Sequence, residues 1–317
     1  YPKTLKEISN PPVLLYYRGT FPDFNSCFPI SVVGTRALSD YGRKNAFYIS
    51  RDLALAGATI VSGMAIGIDG VALAGALSAD KPTVAVIGSG IDVCYPPEHL
   101  TLAKSIVKNG CILTEYAPGV QPTRYSFPQR NRIISGLCSS TVVIEGPERS
   151  GAVITARCAM SQGKTVYALP GSVGARNSEA GNLLLKNGAK LVTCAEDIIK
   201  DYSDIRKGPI LNPFNLEQRL PISMMDALRE FSVSATAPSD DFFNPPRRKN
   251  DTAKVKNEKA ELPQKTERID NGSEVEAAFN SEILKIYQKI PMEGECAIES
   301  LADDGTPLRQ IMRALLK

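Results

Sequence analysis

The order of apolar runs predicts an α/β fold: a doubly wound, mostly parallel sheet followed by a small all-α unit. Three observations carry this. Six short runs of residues 1–200 are apolar almost throughout instead of alternating, as strands buried on both faces are. Longer stretches with helical spacing separate them. Segments rich in Gly and small residues follow directly after several runs.

The predicted strands are Ile30–Val33, Thr59–Val61, Thr83–Ile87, Cys111–Leu113, Thr141–Ile144 and Thr165–Leu169. Between the first two, Asp40–Ala56 carries Tyr41, Ala46, Ile49, Leu53 and Leu55 at helical spacing, with Gly57 as its stop. Gly151–Gln162 reads as another helix, closed by Gly163. The helix after Gly181, with Leu183, Leu184 and Leu185, is either a dimer surface or a buried core helix. Residues 1–205 thus form the first domain. Pro209, Pro213, Pro221, Pro238, Pro245 and Pro246 then break the pattern, and Arg247-Arg248-Lys249 opens a charged stretch with few apolar side chains. Residues 206–275 are expected to be a linker. In residues 276–317, Ile283–Ile290, Glu295–Leu301 and Thr306–Leu316 suggest three short helices, with Thr306 as N-cap and Pro307 at the first helical position. Such a trio resembles a helix-turn-helix core, winged-helix-like but without the wing hairpin, because the chain stops at Lys317.

Composition narrows the function. With 317 residues, 43% hydrophobic and 22% charged, the chain has material for a sizeable core and is not a disordered polymer. One histidine leaves little room for His-based metal clusters or a His-paired nucleophile. The seven cysteines (Cys27, Cys94, Cys111, Cys138, Cys158, Cys194, Cys296) are odd in number and form no C-x-x-C pair, so neither a disulfide scaffold nor a zinc ribbon is expected. No 18-residue apolar run and no signal peptide is visible, and unpaired thiols suit a reducing cytoplasm. The chain opens on Tyr1, so its natural start is expected to lie outside it.

In an open α/β sheet, ligands bind beyond the C-terminal ends of the strands. There the sequence places Gly34-Thr35-Arg36, Ser62–Asp69 with Gly63 and Gly67, Gly88-Ser89-Gly90, Glu145-Gly146 running to Ser150-Gly151, and Pro170-Gly171-Ser172. Such loops bring backbone N–H groups close to a phosphate-rich ligand. A dinucleotide fingerprint fails because Val93 stands where the third glycine belongs, and neither a G-x-x-x-x-G-K-[ST] loop nor a G-x-S-x-G elbow occurs. No cofactor is expected. Net charge is only +3, yet residues 121–176 hold seven Lys or Arg (Arg124, Arg130, Arg132, Arg149, Arg157, Lys164, Arg176) against Glu145 and Glu148. Phe127-Pro128-Gln129-Arg130-Asn131-Arg132 combines a stacking ring, an amide and two guanidiniums, a mixture suited to single-stranded nucleic acid. The alternative for Arg130 and Arg132 is bracing, by bonds to carbonyls or to Glu115. For Arg36 it is a salt bridge to Asp69. Phe127 and Tyr125 are stacking faces or core residues.

Seven segments, in order over roughly residues 1–200, carry a family resemblance. They are Val33-Gly34-Thr35-Arg36; Ser62-Gly63-x-Ala65-x-Gly67-Ile68-Asp69; Gly88-x-Gly90-Ile91-Asp92-x-x-Tyr95-Pro96; Thr114-Glu115-Tyr116-x-Pro118-Gly119; Phe127-Pro128-x-Arg130-Asn131-Arg132-Ile133-Ile134-x-Gly136-Leu137; Ser150-Gly151-x-x-Ile154-Thr155-Ala156; and Pro170-Gly171. Together they resemble the DNA-processing protein A family (DprA, also called Smf). The resemblance implies an extended Rossmann domain and a bacterial, cytoplasmic protein that binds single-stranded DNA, protects incoming strands during natural transformation, helps load RecA, and dimerises through the Rossmann domain. It implies no enzymatic activity. The DNA-contacting set is then expected to be Gly34, Arg36, Ser62, Gly63, Gly67, Phe127, Arg130, Asn131, Arg132, Ser150, Gly151 and Lys164. Two departures stand out. Leu73 follows Ala72 where many members have histidine, and Gly146 follows Glu145 where alanine is common. The family's upstream helical domain would precede Tyr1. The competing reading is a nucleotide phosphoribohydrolase-like Rossmann enzyme, but Gly146–Ala152 lacks that family's Pro-Gly-Gly-x-Gly-Thr-x-x-Glu signature. A nicotinamide or flavin enzyme is a more distant alternative.

Overall fold

Each of the six apolar runs is a strand of one eight-stranded sheet in a computed structural model that describes residues 1–205 and 223–231. They are β2 (Phe28–Val33), β3 (Ala58–Ser62), β4 (Thr83–Val86), β5 (Cys111–Thr114), β6 (Ser140–Val143) and β7 (Thr165–Ala168). The edge strands β1 (Tyr16–Gly19) and β8 (Lys190–Leu191) complete the order β1-β5-β4-β3-β2-β6-β7-β8. All pairings are parallel except β1 with β5. The chain builds outward from β2 through β3 and β4 to β5, then returns to β6 on the other side of β2. The β2–β6 boundary is therefore the topological switch point, where such sheets open a ligand crevice.

The central strands need no alternation because both faces are covered. Ile30, Val32, Ile60, Ala85, Ile112 and Val142 pack under the helices of one face. These include α2 (Asp40–Leu55), α3 (Ile68–Ser78) and α8 (Ala195–Ile199). Val33, Val61, Val86, Leu113, Val143 and Val166 pack under α1 (Lys3–Lys6), α5 (Ser126–Leu137), α6 (Gly151–Ser161) and α7 (Glu179–Lys186) on the other. Several buried hydroxyls on these strands are satisfied internally. Ser31 Oγ donates to Thr141 Oγ1 at 2.7 Å, Ser62 Oγ to Val32 O at 2.6 Å, and Thr83 Oγ1 to Ile60 O at 2.7 Å. A buried hydroxyl left unbonded would cost about 1–3 kcal/mol. α2 starts where the sequence places it, capped by Ser39, whose Oγ accepts from Gly42 N at 3.0 Å. Glu145 fixes that cap, accepting from Ser39 N at 2.7 Å and Ser39 Oγ at 2.6 Å.

One sequence expectation is corrected. Part of the expected 206–275 linker folds as α9 (Met224–Phe231), which packs on α3 and on α4 (Leu100–Asn109). Ser223 Oγ accepts from Asp226 N at 3.1 Å at its start, and Ala227 is 0% exposed. Met224, Ala227 and Leu228 occupy i, i+3 and i+4, an apolar stripe too short to stand out among the surrounding prolines. The other linker residues and the three C-terminal helices of 276–317 lie outside the described residues. On the face where α9 sits, His99 closes the start of α4. Its Nδ1 lies 2.9 Å from Met64 O, and a Cβ on Gly70 would come within 2.6 Å of its ring. Among the described residues, no helix is long and apolar enough to cross a membrane.

Burial lowers the His99 pKa from the ordinary 6.5, against the opposing Met64 bond and Glu98 charge. The unfolded chain therefore binds a proton that the folded chain resists. This contribution to stability is complete above about pH 6.5, falls as pH drops below it, and levels off below the folded pKa. Denaturant melts of wild type and His99→Gln between pH 7.5 and 5 are expected to show a steeper loss for wild type. Parallel curves would contradict it.

Candidate nucleic-acid interface

The loops after β2 and β6 end at the switch point and frame a groove of about 670 Å³. Gly34, Arg36, Phe127, Arg130, Asn131, Ser150 and Gly151 all line it, so seven of the twelve expected residues come together. Gly63 joins Arg36, Phe127 and Arg130 around an adjoining cavity of about 40 Å³.

The foundation of this groove is a buried charge pair. Asp69, in the first turn of α3, receives N–H bonds from Gly34, Gly63 and Ala65. Burial pushes its carboxyl up, and the Arg130 charge and those three donors oppose that. Arg130 is 3% exposed and donates from Nη1 to Gly63 O at 2.6 Å and to Val86 O. Burial lowers its pKa to about 10, which leaves it cationic at neutral pH. Gly63 lies between the two charges. A Cβ there would come within 2.4 Å of Arg130 Nη1 and 2.5 Å of Asp69 Oδ2. Gly67 has φ +92°, and a Cβ would meet Thr35 O at 2.3 Å, so glycine lets the β2–α2 loop rest on the start of α3.

These contacts sort the expected residues. Arg130 takes the bracing alternative, as does Arg132, whose Nη2 pairs with Glu115 Oε2 at 2.6 Å with both side chains 18% exposed. Arg132 is not part of the groove lining, because two further residues of helix turn it away from the side that Arg130 faces. Ser62 is buried, its hydroxyl spent on Val32 O. Gly67 lines a separate cavity of about 290 Å³ with His99 and α9 residues. Lys164 is corrected outright. It precedes β7, at the strand's N-terminal end, and its Nζ donates to Cys138 O at 2.8 Å and Gly136 O at 3.4 Å, satisfying carbonyls at the end of α5. Arg36 is exposed and does not take the salt-bridge alternative. Its guanidinium stands 5.0 Å over the Phe127 ring, while Arg130 is the cation beside Asp69.

The groove also holds residues outside the expected set. Arg124 and Arg149 line it and are exposed. Tyr95 stacks on Phe127 with ring centroids 5.5 Å apart. Beside the groove but outside its lining, Tyr125, 64% exposed, lies beneath the Arg124 guanidinium at 4.7 Å and accepts from Arg124 Nη2 at 2.6 Å. Arg149 was findable, since it sits in the loop after the strand Thr141–Ile144, where the switch-point rule points. Among the described residues lining the groove, Asp69 is the one carboxylate, and it is buried. The first turn of α6 opens onto the same space, capped by Ser150 and anchored where Asn131 Nδ2 donates to Gly151 O at 3.3 Å. A helix N-terminus, exposed guanidiniums and aromatic faces together suit a polyanion carrying flat bases. The hydrolase alternative needs a carboxylate free to act near the loop after β6. Two stand there: Glu145 has both its oxygens bonded to Ser39, and Glu148 is exposed but is not among the residues lining the groove.

The model of the DNA recombination-mediator protein A family matches residues 1–203. Protein Smf of Escherichia coli K12 is 42% identical over 202 residues, which cover 63% of this chain and 54% of that protein. The DNA processing protein DprA of Streptococcus pneumoniae is also 42% identical over 202 residues, covering 64% of this chain and 71% of its own length. Its crystal structure superposes with a TM-score of 0.61 over 63% of this chain and 70% of that chain. The Helicobacter pylori protein, whose structure is described for its single-stranded DNA binding mode, matches at 28% identity and a TM-score of 0.61. That match covers 65% of this chain and 94% of that one. The chain thus spans about half the length of the E. coli relative.

Removing one member of a buried charge pair strands the other. Arg130→Met or Asp69→Asn is expected to cost roughly 3–5 kcal/mol of unfolding free energy. Arg132→Ala, which breaks a partly exposed pair, should cost about 1 kcal/mol or less. Urea denaturation followed by circular dichroism measures both, and equal losses would contradict this division.

Proposed function

The chain belongs to the DNA recombination-mediator protein A family, and from that membership we propose that it binds single-stranded DNA in the switch-point groove and acts as a recombination mediator. The observation that carries the reading is the division of cations at the groove: Arg130 is buried as a brace, whereas Arg36, Arg124 and Arg149 stand exposed around it. The single-stranded DNA binding described for the Helicobacter pylori relative supports it.

In this reading the exposed guanidiniums and the α6 N-terminus hold phosphates, and Tyr95, Phe127 and Tyr125 offer faces to unstacked bases. Duplex DNA keeps its bases stacked and inaccessible to such faces, so the site prefers single strands. Binding is an equilibrium event with no bond made or broken. Protection of incoming strands in transformation, delivery of those strands to RecA, a cytoplasmic location and a homodimer through the Rossmann domain complete the proposal. A dimer would set two grooves on one strand and raise avidity. In the candidate dimer helix α7, Leu184 is buried and Leu183 and Leu185 are half-buried.

A gel-shift or anisotropy series with a labelled oligonucleotide across 50–200 mM salt tests this. Tighter binding to single-stranded than to duplex DNA is expected. Arg36→Ala and Arg149→Ala should each weaken binding and reduce the salt slope by about 0.7 for each phosphate no longer neutralised. Arg132→Ala should leave both nearly unchanged. Weaker binding by Arg132→Ala with no effect at Arg36 or Arg149 would overturn the assignment of the groove.

A further inference from the structure

The loop after β7 is not part of the groove, yet it is fastened to both loops that frame it. Asn177 O accepts from Gly146 N at 2.6 Å, and Asn177 Nδ2 donates to Ala37 O at 2.9 Å. The near end of the loop is clipped by Asn182, whose side-chain amide donates to Gly171 O at 3.0 Å and accepts from Gly171 N at 3.3 Å. Tyr41, at the start of α2, donates from its hydroxyl to Pro170 O at 2.9 Å while half its surface stays in solvent. Nine residues, 170–178, are thereby held as a shelf. They present Val173, 98% exposed, and Arg176, also exposed. Exposed arginines consequently follow three adjacent strands: Arg36 after β2, Arg149 after β6 and Arg176 after β7.

We propose that the shelf formed by residues 170–178 and Tyr41 is a second contact region for single-stranded DNA, continuing the strand's path out of the groove. Arg176 takes a phosphate, and the apolar surface of Val173 and the Tyr41 ring lies under a base. β7 stands two strand spacings from β2, about 10 Å. A strand that already fills the groove must run on by that distance to reach the shelf, so an oligonucleotide long enough only for the groove does not touch it. The inference rests on the groove's being the primary site, and it makes affinity depend on oligonucleotide length.

The test is binding of a thymidine 4-mer and a thymidine 12-mer to wild type, to Arg36→Ala and to the double variant Arg176→Ala with Val173→Ser. The altered side chains of the double variant are exposed. The double variant is expected to bind the 12-mer about 10-fold more weakly with a salt slope reduced by about 0.7, and the 4-mer within about 2-fold of wild type. Arg36→Ala should weaken both lengths. Wild-type affinity for both lengths in the double variant, or equal weakening at both lengths, overturns the shelf. If Arg36→Ala binds both lengths like wild type while the double variant fails on the 12-mer, the shelf stands and the groove reading fails. If wild type binds neither oligonucleotide, both fail.

Discussion

The buried Asp69–Arg130 pair is the constraint on which the groove edge of this molecule depends. Asp69 collects N–H groups from the ends of β2 and β3, and Arg130 reaches from α5 to carbonyls at the ends of β3 and β4. Two charges in a dry interior are costly alone. Here each is offset by the other and by backbone dipoles, so three loops and a helix are held together or not at all. Gly63 is the steric condition for this arrangement, because its missing side chain leaves the space in which the charges lie side by side.

Once those loops are fixed, the groove follows with little further cost. Arg36 is positioned by the β2–α2 loop, which rests on Gly67, and its guanidinium is laid over Phe127. Glu145, at the end of β6, holds the Ser39 cap of α2, and Asn131 ties α5 to the first turn of α6. In the proposed reading, the exposed cations stand on a frame that would not have to order itself when a strand arrives, and preorganisation of that kind improves affinity by lowering the entropy lost on binding. The loop beyond β7 is held in the same way, with Asn177 and Asn182 fastening its two ends.

Much of the fold was legible in the chain because parallel strands buried on both faces must be apolar throughout. All six such runs, the helices Asp40–Leu55 and Gly151–Ser161, and the doubly wound order follow from that demand. The strands that escaped are those the demand does not reach. β1 is an antiparallel edge strand whose residues alternate between half-buried and exposed, and β8 is two exposed residues held by β7. α9 escaped because its apolar stripe is short and lies among prolines.

The meeting of loops that forms the candidate groove was legible, and the placement of its individual side chains less so. Pattern alone determined that Gly-rich loops and a cluster of arginines meet at one sheet edge, since topology sends every loop after a parallel strand to the same side. It did not determine which arginine faces the ligand. Arg130 and Arg132 are two positions apart on one helix, about 200° of rotation, so one points into the sheet ends and the other toward Glu115, just past β5. Lys164 precedes β7, at the end of the sheet opposite to the groove. Sequence specifies which residues are near in the chain and with what period. Whether a cation braces a loop or meets a phosphate depends on carbonyls and carboxylates brought from dozens of residues away, and only the folded packing supplies those partners.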